Sequence, residues 1–150
     1  MKNIIFSLLV VVMLVACSPA AQPEQETATG ASLLVTVGDQ HQTFSVADLM
    51  ALPSSQATFK DVAYKGVSIP ALLESAGVNL DQVKALKGVA TDGYTVNYDT
   101  NQVMKDNVLV AYALADGSPL SADDGNFRMV LPDEEGKLNL RMLAELQVVQ

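Results

Sequence analysis

Beyond residue 32 the apolar positions fall in short runs broken by Gly, Pro and acidic residues, a spacing that suits strands better than long helices. Residues 33–37 form a β-prone run, Gly38-Asp39-Gln40 is a turn signal, and residues 41–46 alternate loosely, so the pattern predicts a hairpin. Ser45 with Asp48 three residues on makes a capping box, in which each side chain binds the other residue's N–H. It opens a short helix over residues 47–51, stopped by Pro53. Residues 57–64 read as one strand. Ser68-Ile69-Pro70 then starts a second helix through Leu72, Leu73 and Ala76, with Pro in the first turn, where no N–H is missed, and Gly77 after the end. Residues 83–91 read as a strand, Asp92-Gly93 as the turn into residues 94–98, and Asp99 with Gln102 as a second cap opening a helix through Met104. Residues 107–114 (NVLVAYAL) have the unbroken apolar run of a buried strand, closed by Asp116-Gly117 and Pro119. Residues 127–131 form a strand ended by Pro132, and residues 146–149 a last one. Short helices interrupt strands without a βαβ rhythm, which predicts a single α+β domain with mixed or antiparallel strands. Its core is expected from Val67, Ile69, Leu72, Leu73, Val108, Leu109, Val110, Val130 and Leu146, with Met50, Met104, Met129 and Met142 as filler.

The first 32 residues follow another pattern. Residues 4–15 are apolar apart from Ser7 and follow Lys2, the form of a signal-peptide h-region and too short to span a bilayer. The run ends at Leu14-Val15-Ala16-Cys17, which resembles the bacterial lipobox, where a Cys is acylated before the peptide ahead of it is removed. The alternative is an ordinary secretory signal cut after Ala16, leaving a free thiol. Cys17 is the chain's only Cys and has no disulfide partner within it, which favours lipidation with palmitate-type chains. Residues 18–32 (SPAAQPEQETATGAS) hold no large apolar side chain and read as a tether. The division is thus a signal peptide over 1–16, lipidated Cys17 and tether over 17–32, and a folded domain over 33–150. This places the protein in the bacterial cell envelope, held to the membrane by its lipid. Ser18, rather than Asp, points to the outer membrane facing the periplasm in a Gram-negative host.

Charge and composition narrow the chemistry. Lys and Arg number 9 against 17 Asp and Glu, and the formal charge of −8 becomes −9 once Lys2 leaves with the leader. Such a chain lacks the clustered cations that nucleic acid requires. An anionic lipid surface would repel it too, so membrane attachment has to come from the lipid. A single Cys builds no zinc site, and His41, the one His, completes neither a multi-His metal site nor a hydrolase triad. Asp123-Asp124 and Asp133-Glu134-Glu135 lack the alternating oxygens of a calcium loop and read as solvated acidic loops. No catalytic residue and no metal site is read from the sequence.

Four segments in order carry a family resemblance. Phe44-Ser45-Val46-Ala47-Asp48-Leu49 with Leu52-Pro53 is the first. Tyr64-Lys65-Gly66-Val67-Ser68-Ile69 with Leu72-Leu73 and Ala76-Gly77-Val78 is the second. The third joins Asp92-Gly93-Tyr94 to Leu109-Val110-Ala111-Tyr112 and Asp116-Gly117-Ser118-Pro119-Leu120. The fourth is Gly125, Phe127-Arg128-Met129-Val130-Leu131-Pro132, Gly136 and Leu140-Arg141-Met142-Leu143. Together they resemble the oxidoreductase molybdopterin-binding domain of sulfite-oxidase-like proteins, with Tyr64 where that family has Trp. The resemblance implies a molybdenum-ligating Cys between the first helix and Tyr64, yet residues 53–63 contain none. The family's His before Arg128 is also missing, with Asp123-Asp124 in its region, and Arg141 stands where the family usually has Lys.

Arg128 and Arg141 match positions that contact the cofactor's anionic groups, so the resemblance makes them the candidate cofactor-binding pair. Two readings of them stand: an anion pocket built from two guanidinium forks, or structural pairing of each with a neighbouring carboxylate. Asp92-Gly93-Tyr94 is read first as a hairpin turn and second as a pocket mouth. The sequence leans away from an enzyme, towards a binding or redox-accessory module with no cofactor expected and molybdopterin entering only through the resemblance. Its partners would be the membrane, an envelope redox protein and an anionic small molecule, with no role for nucleic acid. The alternatives are a reduced molybdopterin-dependent oxidoreductase completed by a partner subunit, and a structural envelope lipoprotein.

Overall fold

The computed structural model describes residues 30–150, so the signal peptide, Cys17 and nearly all of the tether lie outside the described residues. Among the described residues nine strands form two sheets. In the first, β1 (Ser32–Val37) and β2 (Gln40–Ser45) make the predicted hairpin, and β5 (Ala85–Ala90) and β6 (Thr95–Asp99) make another. Strand β9 (Leu143–Val149) lies between them, parallel to β1 and antiparallel to β5, giving the order β2-β1-β9-β5-β6. The second sheet has the order β3-β4-β7-β8, from β3 (Ser54–Phe59), β4 (Val62–Ser68), β7 (Leu109–Leu114) and β8 (Arg128–Val130). The fold is α+β with mixed strands.

Local hydrogen bonds set the helix starts. Both halves of the Ser45/Asp48 box form at the start of α1 (Val46–Met50), and the Ser45 side chain and backbone bonds hold the Asp48 carboxyl below the usual carboxylate range. Ser68 caps α2 (Ile69–Ser75), with Pro70 in the first turn and Gly77 at φ +74 just beyond the end. Asp99 and Gln102 box the start of α3 (Thr100–Val103).

The nine expected core residues are all buried, at most 2% exposed. They divide between two faces of β7. Val108 and Val110 join the main core between the sheets, while Leu109 joins Ala57, Tyr64, Ala111 and Val130 in a smaller cluster. A strand covered on both faces has to be apolar at successive positions, which is why residues 107–114 carry no alternation.

Several expectations are corrected. Residues 57–64 do not form one strand. They are the end of β3, a two-residue turn at Lys60-Asp61 and the start of β4, paired from Ser54↔Val67 to Phe59↔Val62. Both turn residues are left-handed (φ 48 and 65) with neither Gly nor Asn present, so the usual hairpin signal is absent. Strand β9 begins at Leu143 rather than 146, and 3₁₀ turns occupy Leu80–Gln82 and Gly136–Leu138. Met129 is core and Met104 partly buried, but Met50 and Met142 are exposed. Asp124 is not a solvated loop residue: it is buried. Among the described residues no helix is long and apolar enough to cross a membrane.

Candidate functional site

A cleft of about 410 Å³ opens where four loops meet: the β3–β4 turn, the β5–β6 turn, the segment before β8 and the segment before β9. Its apolar lining includes Phe59, Leu140 and Met142, and its cations are Lys60, Arg128, Lys137 and Arg141. The fold therefore brings the two candidate Arg residues together, and both converge on one carboxylate.

Arg128, the first residue of β8, is 3% exposed. Its Nη1 donates to Asp124 Oδ1 at 2.6 Å and to Tyr64 Oη at 2.8 Å, and its Nε donates to the Met129 carbonyl at 3.4 Å. The guanidinium also lies over the Tyr64 ring at 4.6 Å and the Phe59 ring at 5.9 Å. Tyrosine at position 64 has a chemical consequence here, because a phenol oxygen accepts a hydrogen bond from Arg and an indole N–H cannot.

Asp124 is held from several sides. Ser121 Oγ donates to its Oδ2 at 2.9 Å, its own N–H donates to Ser121 Oγ, and Gly125 at φ +72 turns the chain away. Arg141 is different from Arg128: it is 61% exposed, with Nε 3.4 Å from the same Asp124 oxygen. Arg128 is thus enclosed and paired through a buried carboxylate, while Arg141 keeps most of its side chain exposed; both line the cleft.

The other walls have their own supports. Asn139, buried, accepts from the Leu131 N–H at 2.7 Å and donates to the Leu131, Glu134 and Glu135 carbonyls, tying the 131–139 loop closed. Met142 sits at φ +51; its N–H donates to the Asp124 carbonyl and its carbonyl accepts from the Thr91 N–H, locking three loops together. Asp92 accepts from the Tyr94 N–H at 2.9 Å, so Asp92-Gly93-Tyr94 is the hairpin turn and also lines the cleft. Lys60 reaches over the Phe59 ring at 5.5 Å and makes no ion pair among the described residues. The hydrogen bond and the charge of Glu135 hold the Lys137 ammonium above its usual range.

Arg128, Arg141 and Asp92 are legible in the sequence; Lys60 and Lys137, whose role depends on loop placement, and Asn139, which carries no local motif, are not. For Asp124 a signal was present, since it stands four residues before Arg128 with the opposite charge.

One mixed sheet, one antiparallel sheet and a loop-built, cation-lined cleft make up a domain with the sulfite-oxidase-like fold. The model of the oxidoreductase molybdopterin binding domain matches residues 24–150, and the chain belongs to that family. Among solved structures it is similar to the sulfane dehydrogenase SoxCD from Paracoccus pantotrophus, with a TM-score of 0.64 and 21% identity. That match covers 78% of this chain and 37% of the other, so this chain spans little more than a third of that relative, and the likeness speaks for the fold. No curated protein matches the sequence.

The residues present do not fit a molybdenum centre. The interval that the resemblance reserves for the thiolate is the β3–β4 hairpin, closed by a two-residue turn and free of Cys. Among the described residues no three His, Cys, Asp or Glu side chains gather as metal ligands. An organic anion asks less of the site, and for it the cleft offers the exposed fork of Arg141 with Lys60 and Lys137.

Proposed function

We propose that the protein is a lipid-anchored envelope domain that binds a phosphate- or carboxylate-bearing anion in this cleft and serves as an accessory to an envelope redox protein. On this reading it does not perform molybdenum catalysis itself. The observation that carries the reading is the position of the single Cys: it stands in the lipobox-like Leu14-Val15-Ala16-Cys17, while the hairpin in the thiolate's interval has none. Acylation would use up that sulfur. The outer membrane, facing the periplasm, is the location that Ser18 favours.

The cleft's cations support the ligand class. In a chain of this acidity an anion meets an unfavourable overall field, and only a local cluster of forks and ammonium groups overcomes it. Saturating inorganic phosphate or glycerol 3-phosphate should raise the thermal midpoint of the full protein. At a hundredfold excess over Kd the gain is about 2.7 kcal/mol, or roughly 10 °C for a domain of this size. Arg141→Ala should abolish that rise and leave the ligand-free midpoint nearly unchanged. A flat response of the wild type to both anions, measured by scanning calorimetry, would leave a structural envelope lipoprotein as the better account.

A further inference from the structure

We infer that the cleft is the membrane-facing end of the domain and that it receives the phosphate headgroup of a phospholipid. The inference rests on the lipid-anchor reading and deepens the anion reading by naming the source of the anion. It starts from strand direction. Because β1 runs parallel to β9, with Leu34 opposite Glu145 and Val35 opposite Leu146, the start of β1 lies beside the start of β9. Gly30, Ala31 and Ser32 accordingly line a small cavity with Gly125, Met142 and Leu143, and Met142 is also a wall of the cleft. The chain coming from Cys17 enters the domain beside the cleft, at the neighbouring cavity that shares Met142 with it. Thirteen residue steps separate Cys17 from Gly30, so a lipid on Cys17 keeps that entry point within about 45 Å of the membrane.

Charge orients the domain the same way. Four of the eight Lys and Arg among the described residues line the cleft. They face Asp92 and Asp123 in the lining, with Asp124 and Glu135 adjoining. The lining itself thus carries four cations against two carboxylates, whereas the described residues as a whole have 8 Lys and Arg against 15 Asp and Glu. An anionic surface repels the rest of the body and admits this end. Tyr94, 55% exposed, and Met142, 38% exposed, stand among the lining residues and suit the interfacial zone, where an aromatic ring with a polar tip is favoured. Arg141, Lys60 and Lys137 supply the donors that a phosphodiester accepts.

The chain contains no Trp, so Tyr94→Trp in the full lipidated protein places a single reporter at the cleft. Reconstituted into vesicles of phosphatidylglycerol and phosphatidylcholine with brominated acyl chains, this variant should show blue-shifted, quenched emission. The effect should be lost when Lys60→Gln, Lys137→Gln and Arg141→Gln are added. His41→Trp, exposed at the opposite end of the first sheet, should stay unquenched. Cys17→Ala separates the two readings: an unprocessed precursor without lipid mass supports the anchor, whereas an unchanged mature protein removes the anchor and this inference with it. If the wild type carries lipid and floats with vesicles while the Tyr94→Trp reporter stays unquenched, the anchor stands and the inference falls. A cleft that binds inorganic phosphate under that condition takes a soluble anion instead.

Discussion

Asp124→Ala should lower the thermal midpoint by about 12–20 °C, more than any other single side-chain truncation around the cleft. The substitution leaves the Arg128 guanidinium buried, with only the Tyr64 hydroxyl and the Met129 carbonyl as acceptors. Removing one partner of a buried ion pair costs about 3–5 kcal/mol, and for a domain of this size each kcal/mol moves the midpoint by about 4 °C. Arg128→Ala should be severe as well, through the lost stacking on Tyr64, but it leaves Asp124 with Arg141 and Ser121. Arg141→Ala should change the midpoint by no more than a few degrees, because an exposed pair contributes about 0–1 kcal/mol. Equal losses for Arg128→Ala and Arg141→Ala in a thermal melt would contradict the division of labour drawn from their burial.

Gly66→Ala should be comparably damaging for a different reason. A Cβ at Gly66 would fall on the Val110 carbonyl oxygen and within 2.7 Å of Ala111 Cα. Both obstacles are main chain, so no rotamer relieves them, and β4 has to separate from β7 where the pairing already skips a residue between Lys65 and Gly66. Overpacking of this kind costs about 3 kcal/mol or more, enough to lower the midpoint by over 10 °C or to leave the protein insoluble. Gly93→Ala is the control: its φ of +86 is strained for Ala, yet nothing lies within 4 Å, so about 1–2 kcal/mol is expected. Circular dichroism melts of the two variants separate steric from conformational cost. The Tyr64-Lys65-Gly66-Val67 segment thus owes its Gly to the close approach of two strands.

What was legible in the sequence follows the range of the interaction concerned. The caps at Ser45, Ser68 and Asp99 were readable because donor and acceptor lie three residues apart, so a local motif contains the whole contact. The Asp92-Gly93 turn was readable because Gly93 supplies the left-handed residue. Lys60-Asp61 was not, since both residues adopt that conformation without a Gly or Asn to signal it. The parallel pairing of β1 with β9 joins segments more than a hundred residues apart, and neither strand encodes its partner. For the site, the resemblance picked out Arg128 and Arg141, and the structure unites them through Asp124. Composition describes the acidic run at Asp123-Asp124 as a whole and so suggests solvation for both residues; burial separates the two neighbours, with Asp123 exposed and Asp124 enclosed by Arg128 and Ser121.

The domain has a closed apolar core, and no buried side-chain polar atom among the described residues lacks a hydrogen-bond partner. The competing account, a molybdopterin oxidoreductase completed by a partner subunit, requires a metal ligand from outside the chain. The direct measurement is the molybdenum content, by inductively coupled plasma mass spectrometry, of the full protein purified after growth with ample molybdate. A folded, cooperatively melting protein with far less than one molybdenum per chain is the predicted result; about one molybdenum per chain would contradict it.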